Sequence, residues 1–177
     1  ADERQRHKAE AEMNAAVKLE PKNAEIRFIL VNFYLRHGMN KRAEGELNRF
    51  LEAELNYETI LDLKSILLVM TTPLAVRSSS LLEDSHYQPF AGIYSTYMVP
   101  YVMDNERVMM EMLSNAIKSV YASTYYKASK AYMTATSNII DEEKMGIVLQ
   151  TVAGTKYGNR FYPSFSGVAR SINFYPL

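Results

Sequence analysis

The chain of 177 residues contains no cysteine, and its 20 basic residues are balanced by 20 acidic ones. Without cysteine it forms no disulfide, binds no metal through thiolates and has no thiolate nucleophile. A formal net charge of zero provides no broad basic surface of the kind that binds nucleic acid or an anionic membrane. We therefore expect neither nucleic acid nor a membrane among the partners of this protein.

Long apolar runs and metal-ligand spacings are missing as well. The longest apolar run, near Ile66 to Met70, is far too short for a membrane-spanning helix. The first residues lack the apolar region of a signal peptide. His7, His37 and His86 are scattered, without the spacing of metal ligands. We expect a cytoplasmic protein with no metal site of its own in these residues.

What the sequence does contain is enough apolar surface for a core, since 47% of its residues are hydrophobic. The periodicity of those residues changes near residues 53 to 57, which predicts a helical segment (1–55) followed by an α+β part (56–177). In the first segment, Asn23 is placed to cap a helix and Gly38 to end one. The predicted helices there are Glu3 to Leu19, Ala24 to His37 and Asn40 to Glu54.

The helical segment resembles a tetratricopeptide repeat. Tyr34, Gly38, Ala43 and Leu47 fall at the large and small positions of that repeat, and residues 16–21 fit the end of an earlier one. The match covers about one and a half repeats, whereas about three are needed to bury a continuous core. The segment is therefore either a true repeat, with a protein partner, or an ordinary helical hairpin packed on the following domain.

The α+β part begins with a helix at Asn56 to Met70, for which Asn56 is a candidate cap. Apolar spacing then predicts strands at Leu74 to Val76, Ile93 to Val99, Met145 to Val152 and Phe161 to Asn173. It predicts helices at Glu106 to Tyr125 and Tyr126 to Thr134, and a turn at Gly154 to Gly158.

The most informative stretch is PLAVRSSSLLEDSHYQPFAGIYSTY, residues 73–97. Arg77 follows a short apolar strand and offers a permanent charge with planar donors that suit phosphate oxygens. Three serines come next, and Gly92 lies in a turn where the backbone can approach an anion. The stretch predicts a site for a phosphorylated ligand. The alternative for Arg77 is a bridge to a buried carboxylate.

The order of motifs in the α+β part resembles a known family. VRSSSLLED, FAGIYSTY, SVYAST, MGIVLQTVAGTKYG and SGVARSIN are similar to the ATP-binding domain of phosphoenolpyruvate synthase and pyruvate phosphate dikinase. The resemblance covers about residues 57 to 177. It implies a partial ATP-grasp-like nucleotide-binding domain, here preceded by an α-helical hairpin segment.

The resemblance also implies roles for particular residues. Arg77 would clamp the ATP phosphates during transfer, as the catalytic residue of this chain. The remaining positions would bind the nucleotide. Those implied for the loop over the triphosphate are Ser78, Ser79, Ser80, Ala91 and Gly92, and those implied for the adenine slot are Leu149, Gln150 and Val152.

In that family ATP passes a phosphoryl group to a histidine on a separate domain, which delivers it to pyruvate. This chain departs from the family pattern because it lacks the Gly-Gly-Lys segment and a Thr-x-His motif. The acidic residues that hold Mg²⁺ would lie beyond Leu177. We therefore expect ATP as ligand, with the isolated chain catalytically silent and at best a weak nucleotide binder. The alternative is a non-catalytic interaction module that uses the helical segment.

Overall fold

The computed structural model describes residues 3–80, 92–103, 105–135 and 145–167. It confirms an α+β fold in which a helical segment precedes a small sheet. The helices are α1 (Glu3–Leu19), α2 (Ala24–Arg36), α3 (Asn40–Glu52), α4 (Tyr57–Val69), α5 (Glu106–Ser123) and α6 (Lys127–Ala135). The strands are β1 (Leu74–Ser80), β2 (Tyr97–Val99), β3 (Met145–Thr151), β4 (Thr155–Tyr157) and β5 (Arg160–Tyr162).

The helix boundaries follow from the capping residues that the sequence supplies. The side-chain oxygen of Asn23 accepts the backbone N–H groups of Glu25 (2.9 Å) and Ile26 (3.2 Å) at the start of α2. Asn56 caps α4 in the same way. Gly38 has φ of 69° and ends α2, because this left-handed conformation favours glycine. Both predicted caps and the predicted stop are confirmed.

Helices α1, α2 and α3 pack against one another around Leu30, Phe33, Tyr34 and Ala43. A buried carboxylate, Glu46 on α3, lies between two arginines. It pairs with Arg27 on α2 and with Arg49 (3.0 Å) one turn further along α3. The pairing satisfies a charge that would otherwise be costly to bury.

The sheet that follows is antiparallel, in the order β2-β1-β3. Val76 at its centre pairs with Tyr97 of β2 and with Leu149 of β3. One face is covered by α4 and α5, where Leu63, Val76, Leu113 and Val120 belong to one hydrophobic core. The other face carries exposed side chains and forms the candidate site described below.

The helical segment is joined to α5 by polar and aromatic contacts. The buried Lys118 of α5 donates through Nζ to the carbonyl oxygens of Leu51 (2.7 Å) and Ala53 (2.6 Å), at the end of α3. The ring of Phe28 on α2 lies 5.4 Å from that of Tyr121, centroid to centroid. These contacts attach α2 and α3 to the helix that covers the sheet.

The strands differ from the sequence prediction in length. β1 continues to Ser80 instead of ending at Val76, because its partner β3 is paired with it along the whole length to Met145. β2 begins only at Tyr97, so residues 93–96 are wrongly predicted as strand. Helix α5 ends at Ser123, slightly before the predicted end.

The predicted turn at residues 154–158 is also wrong in its position. Residues 155–157 form β4, which pairs with β5 through Lys156 and Phe161, and the turn lies between them at Gly158, with φ of 61°. Gly154 suggested a turn, but its role is to let β5 pass close to the backbone that precedes β4. The predicted strand from Phe161 is seen only to Tyr162, and its end at residues 168–173 lies outside the described residues. No helix within the described ranges is long and apolar enough to cross a membrane.

Candidate nucleotide site

The alternation of β1 divides the VRSSS motif between the two faces of the sheet. Successive side chains of a strand point in opposite directions. Val76, Ser78 and Ser80 therefore face the helices, and Ser80 is buried with 4% of its surface exposed. Arg77 and Ser79 are exposed on the other face. The motif thus presents one cation and one hydroxyl on the uncovered side.

The register of β3 brings a second polar group beside Arg77. Gln150 pairs with Ala75, and Val148 pairs with Arg77, so both side chains lie on the uncovered side. The guanidinium Nη1 of Arg77 donates to Oε1 of Gln150 at 3.1 Å. This hydrogen bond leaves other N–H donors of the guanidinium for a ligand. Gln150 therefore orients Arg77 without neutralising its charge.

Apolar side chains complete this surface. Val148 is 43% exposed and Met98 is 67% exposed. Met98 lies in β2, where it pairs with Ala75 of β1. We refer to the whole set as the open face. It consists of Arg77, Ser79, Met98, Val148 and Gln150. A cation held beside exposed apolar side chains suits a ligand that combines a flat apolar group with an anionic one.

The structure does not bring all the predicted site residues onto the open face. The side chain of Leu149 packs against the core, and Ser78 and Ser80 share that covered face. Val152 follows β3 and donates its N–H to the carbonyl of Pro73 (2.9 Å). The side chains of Leu149, Ser78 and Ser80 are therefore not directed at a ligand on the open face.

The Gly92 turn lies just before β2. Gly92 is exposed and has φ of 79°, a conformation that side chains disfavour. Its predicted neighbour Ala91 lies outside the described residues. Downstream, the backbone N–H of Ser95 donates to Oγ of Ser123 (3.1 Å). Ser123 lies in the SVYAST motif, and no local sequence pattern indicates a role for its hydroxyl.

Two tyrosines near the sheet have perturbed acidity. Burial raises the pKa of Tyr126, and the neighbouring Tyr97 phenol raises it further by charge and hydrogen bonding. Burial alone raises the pKa of Tyr121 on α5. Both phenols are therefore neutral at ordinary pH, and Arg77 is the charged member of the open face. In the part of the chain that the structure describes, no group of three or more acidic or histidine side chains is placed to hold a metal ion.

A comparison with protein-family models decides the family. Residues 10–176 match the model described as pyruvate phosphate dikinase, AMP/ATP-binding domain. The chain belongs to this family. The match to the AMP/ATP-binding domain covers the helical segment from residue 10 as well as the sheet that carries Arg77. Neither the curated proteins nor the solved structures gave a match to this chain.

Proposed function

We propose that this chain binds ATP on the open face of its sheet, as the nucleotide-binding portion of a phosphoenolpyruvate synthase-like phosphotransferase. The observation that carries the proposal is the exposed guanidinium of Arg77, held by Gln150 on a sheet face of an AMP/ATP-binding domain. The expected architecture is that of a partial ATP-grasp-like domain.

Arg77 is the residue that we assign to the phosphates. Its guanidinium carries a permanent charge and forms bidentate, charge-assisted hydrogen bonds with phosphate oxygens. The alternative role, a bridge to a buried carboxylate, is less well supported, because among the described residues the side chain of Arg77 bonds the neutral amide of Gln150 and is exposed. A phosphate group would therefore meet a cation that pairs with no acid in the part of the chain that the structure describes.

The other predicted ligand contacts follow from the register. Ser79 presents its hydroxyl on the open face, and the exposed Gly92 turn offers backbone N–H groups. Val148 and Met98 would provide apolar contacts for an adenine ring. Its polar edge would meet backbone groups at the outer edge of β3, near Leu149, and the carbonyl of Val152, whose N–H is taken by Pro73. We propose these contacts for the triphosphate and the adenine, respectively.

The proposed reaction needs groups besides those of the open face. The phosphoryl group would pass from ATP to a histidine on another domain and then to pyruvate, with Mg²⁺ as the expected ion. The part played here is to bind the donor and to neutralise its phosphates. We propose that the isolated chain is catalytically silent and, as the composition predicts, cytoplasmic.

We also propose that residues 1–55 and 56–177 are two closely packed parts. The contacts of Lys118 with the end of α3 and of Phe28 with Tyr121 support an ordinary helical hairpin packed on the nucleotide-binding part. The alternative proposal is a non-catalytic interaction module, in which the helical segment binds a protein partner. A peptide or protein that raises the melting temperature of the chain, when ATP does not, would favour this alternative.

Isothermal titration with ATP and Mg²⁺ tests the proposal. The chain should bind ATP, and Arg77→Ala should weaken the affinity by about tenfold or more, since hydrogen bonds to charged groups contribute roughly 1.5–3 kcal/mol. Arg107→Ala is the matched control, because Arg107 is an exposed arginine at the start of α5. Absence of ATP binding, or equal affinities of the Arg77→Ala and Arg107→Ala variants, would refute the assignment.

A further inference from the structure

Ser123, at the end of α5, is at the centre of a buried hydrogen-bond network. It has 1% of its surface exposed. Its Oγ donates to the carbonyl of Val120 (2.7 Å) and accepts the backbone N–H of Ser95 (3.1 Å). Its own carbonyl accepts a hydrogen bond from Oγ of Ser129 (2.7 Å), which is equally buried. One side chain thus joins α5 to the segment that precedes β2.

The segment that Ser123 holds leads from the Gly92 turn to the sheet. Ser95 lies between Gly92 and the start of β2 at Tyr97, so its N–H is outside the β1–β2 ladder. Tyr94 next to it is buried, with 5% of its surface exposed. A backbone N–H that is shielded from water and lacks a partner is costly, and the Ser123 hydroxyl supplies a partner for the partly buried N–H of Ser95.

The bond from Ser123 Oγ to Val120 fixes the direction of the hydroxyl. A serine in a helix commonly donates to the carbonyl of the preceding turn. Once that hydrogen is committed, the lone pairs of the oxygen are directed away from the helix, where they accept from Ser95. The rigid helix α5 therefore sets the position of the backbone between Gly92 and β2.

We infer that Ser123 is a positioning residue that holds the Gly92 turn in place for the phosphates of ATP. The inference depends on the proposed function, in which backbone N–H groups of that turn face the triphosphate. Ser123 itself is buried and acts through Ser95. Loss of its hydroxyl should therefore impair recognition of the phosphates and leave recognition of the nucleoside unchanged.

The test compares affinities for ATP and adenosine in Ser123→Ala and Ser114→Ala. Ser114 is the matched control, because it lies on the same helix with a buried hydroxyl that has no hydrogen-bond partner among the described residues. Ser123→Ala should weaken ATP binding by about fivefold to tenfold, the size expected for one lost hydrogen bond, without changing adenosine binding. Ser114→Ala should leave both affinities unchanged.

Two further variants separate positioning from general damage. Ser123→Thr keeps the hydroxyl and should recover part of the ATP affinity. Ser123→Cys keeps the side-chain volume but offers only a weak acceptor, so its ATP affinity should resemble that of Ser123→Ala. The cysteine variant therefore keeps the test valid if the alanine variant folds poorly. Amide hydrogen exchange at Ser95 should be faster in Ser123→Ala and Ser123→Cys than in the wild-type chain.

The outcomes distinguish this inference from the proposed function. If wild-type chain binds ATP and Ser123→Ala binds it equally well, the inference is overturned and the proposed function stands. Equal losses of ATP and adenosine affinity would also overturn it, since they indicate a general structural role. If the wild-type chain does not bind ATP, the proposed function itself fails, and the role of Ser123 toward phosphates fails with it.

Discussion

The Nζ atom of Lys118 lies 2.6 Å from the carbonyl oxygen of Ala53. Lys118 is buried in α5, and Ala53 ends α3, where carbonyl groups carry the negative end of the helix dipole. A cation at this position satisfies groups that the helix itself leaves without donors. The helical segment is thereby attached to the helix that covers the sheet.

Replacing Lys118 by methionine should destabilise the protein by about 2 kcal/mol, because two carbonyl groups lose a charged donor. Lys64→Met on the exposed surface of α4 is the control and should change stability by less than about 0.5 kcal/mol. Urea denaturation measures both. Equal stability of the two variants would contradict the importance of this contact.

The same lysine predicts a dependence of stability on pH. Burial lowers the pKa of Lys118 below its ordinary value of 10.5, and the charge of Glu54 partly opposes that shift. Between the folded pKa and 10.5 the unfolded chain holds more protons than the folded one, so stability rises with pH. The difference in free energy of unfolding between the wild-type chain and Lys118→Met should therefore increase as the pH rises across this window. A decrease would show that the pKa is raised instead.

The carboxylate of Glu46 should be far more important for stability than its exposed partner. Glu46 is 4% exposed and pairs with Arg27, which is 12% exposed, and with Arg49, which is 66% exposed. Glu46→Ala leaves Arg27 buried without its acid and should cost about 3–5 kcal/mol. Arg49→Ala should cost at most about 1 kcal/mol. Similar values for both in urea denaturation would refute this account.

Gly154 should not tolerate a side chain. A Cβ atom placed there would lie 2.7 Å from Cε1 of Phe161 and would also collide with the carbonyl oxygen of Tyr162. Gly154→Ala should therefore open the β4–β5 hairpin and speed amide exchange in both strands. Gly167→Ala is the control, since a Cβ there meets nothing within 4 Å. Unchanged amide exchange rates in Gly154→Ala would contradict this prediction, because they would show that the hairpin accommodates the added methyl group.

Gln150 is predicted to act on ATP through Arg77. Gln150→Ala removes the acceptor that orients the guanidinium, at an exposed site. ATP affinity should fall by about threefold, less than in Arg77→Ala, because only the orientation of the cation is lost. The double variant should be no weaker than Arg77→Ala alone. Additive losses measured by isothermal titration would show that Gln150 acts independently of Arg77.

Local signals in the sequence were sufficient for most of the helices. Asn23, Gly38 and Asn56 each act on neighbouring backbone groups, so their effects are visible without knowledge of the tertiary structure. The strands depend on partners far along the chain. The extension of β1 to Ser80 and the position of β4 follow from pairing with Met145 and Tyr162, which local composition does not specify.

The candidate site was predictable in composition but not in geometry. The VRSSS motif indicated Arg77, and the family resemblance added residues of β3. Which side chains share a face depends on the register between β1 and β3, and that register places Gln150 with Arg77 while Leu149 faces the core. The role of Ser123 depends on a tertiary contact with Ser95, which no local pattern contains.

The most direct test of the central claim is side-chain NMR of Arg77 in ¹⁵N-labelled protein during titration with nucleotide. The Nε–H resonance, assigned by its loss in Arg77→Lys, reports on what the guanidinium contacts. We predict that ATP shifts this resonance and that adenosine, which has no phosphate, leaves it unchanged. If ATP saturates the domain and the Arg77 resonance does not move, the phosphates bind elsewhere and the account is contradicted.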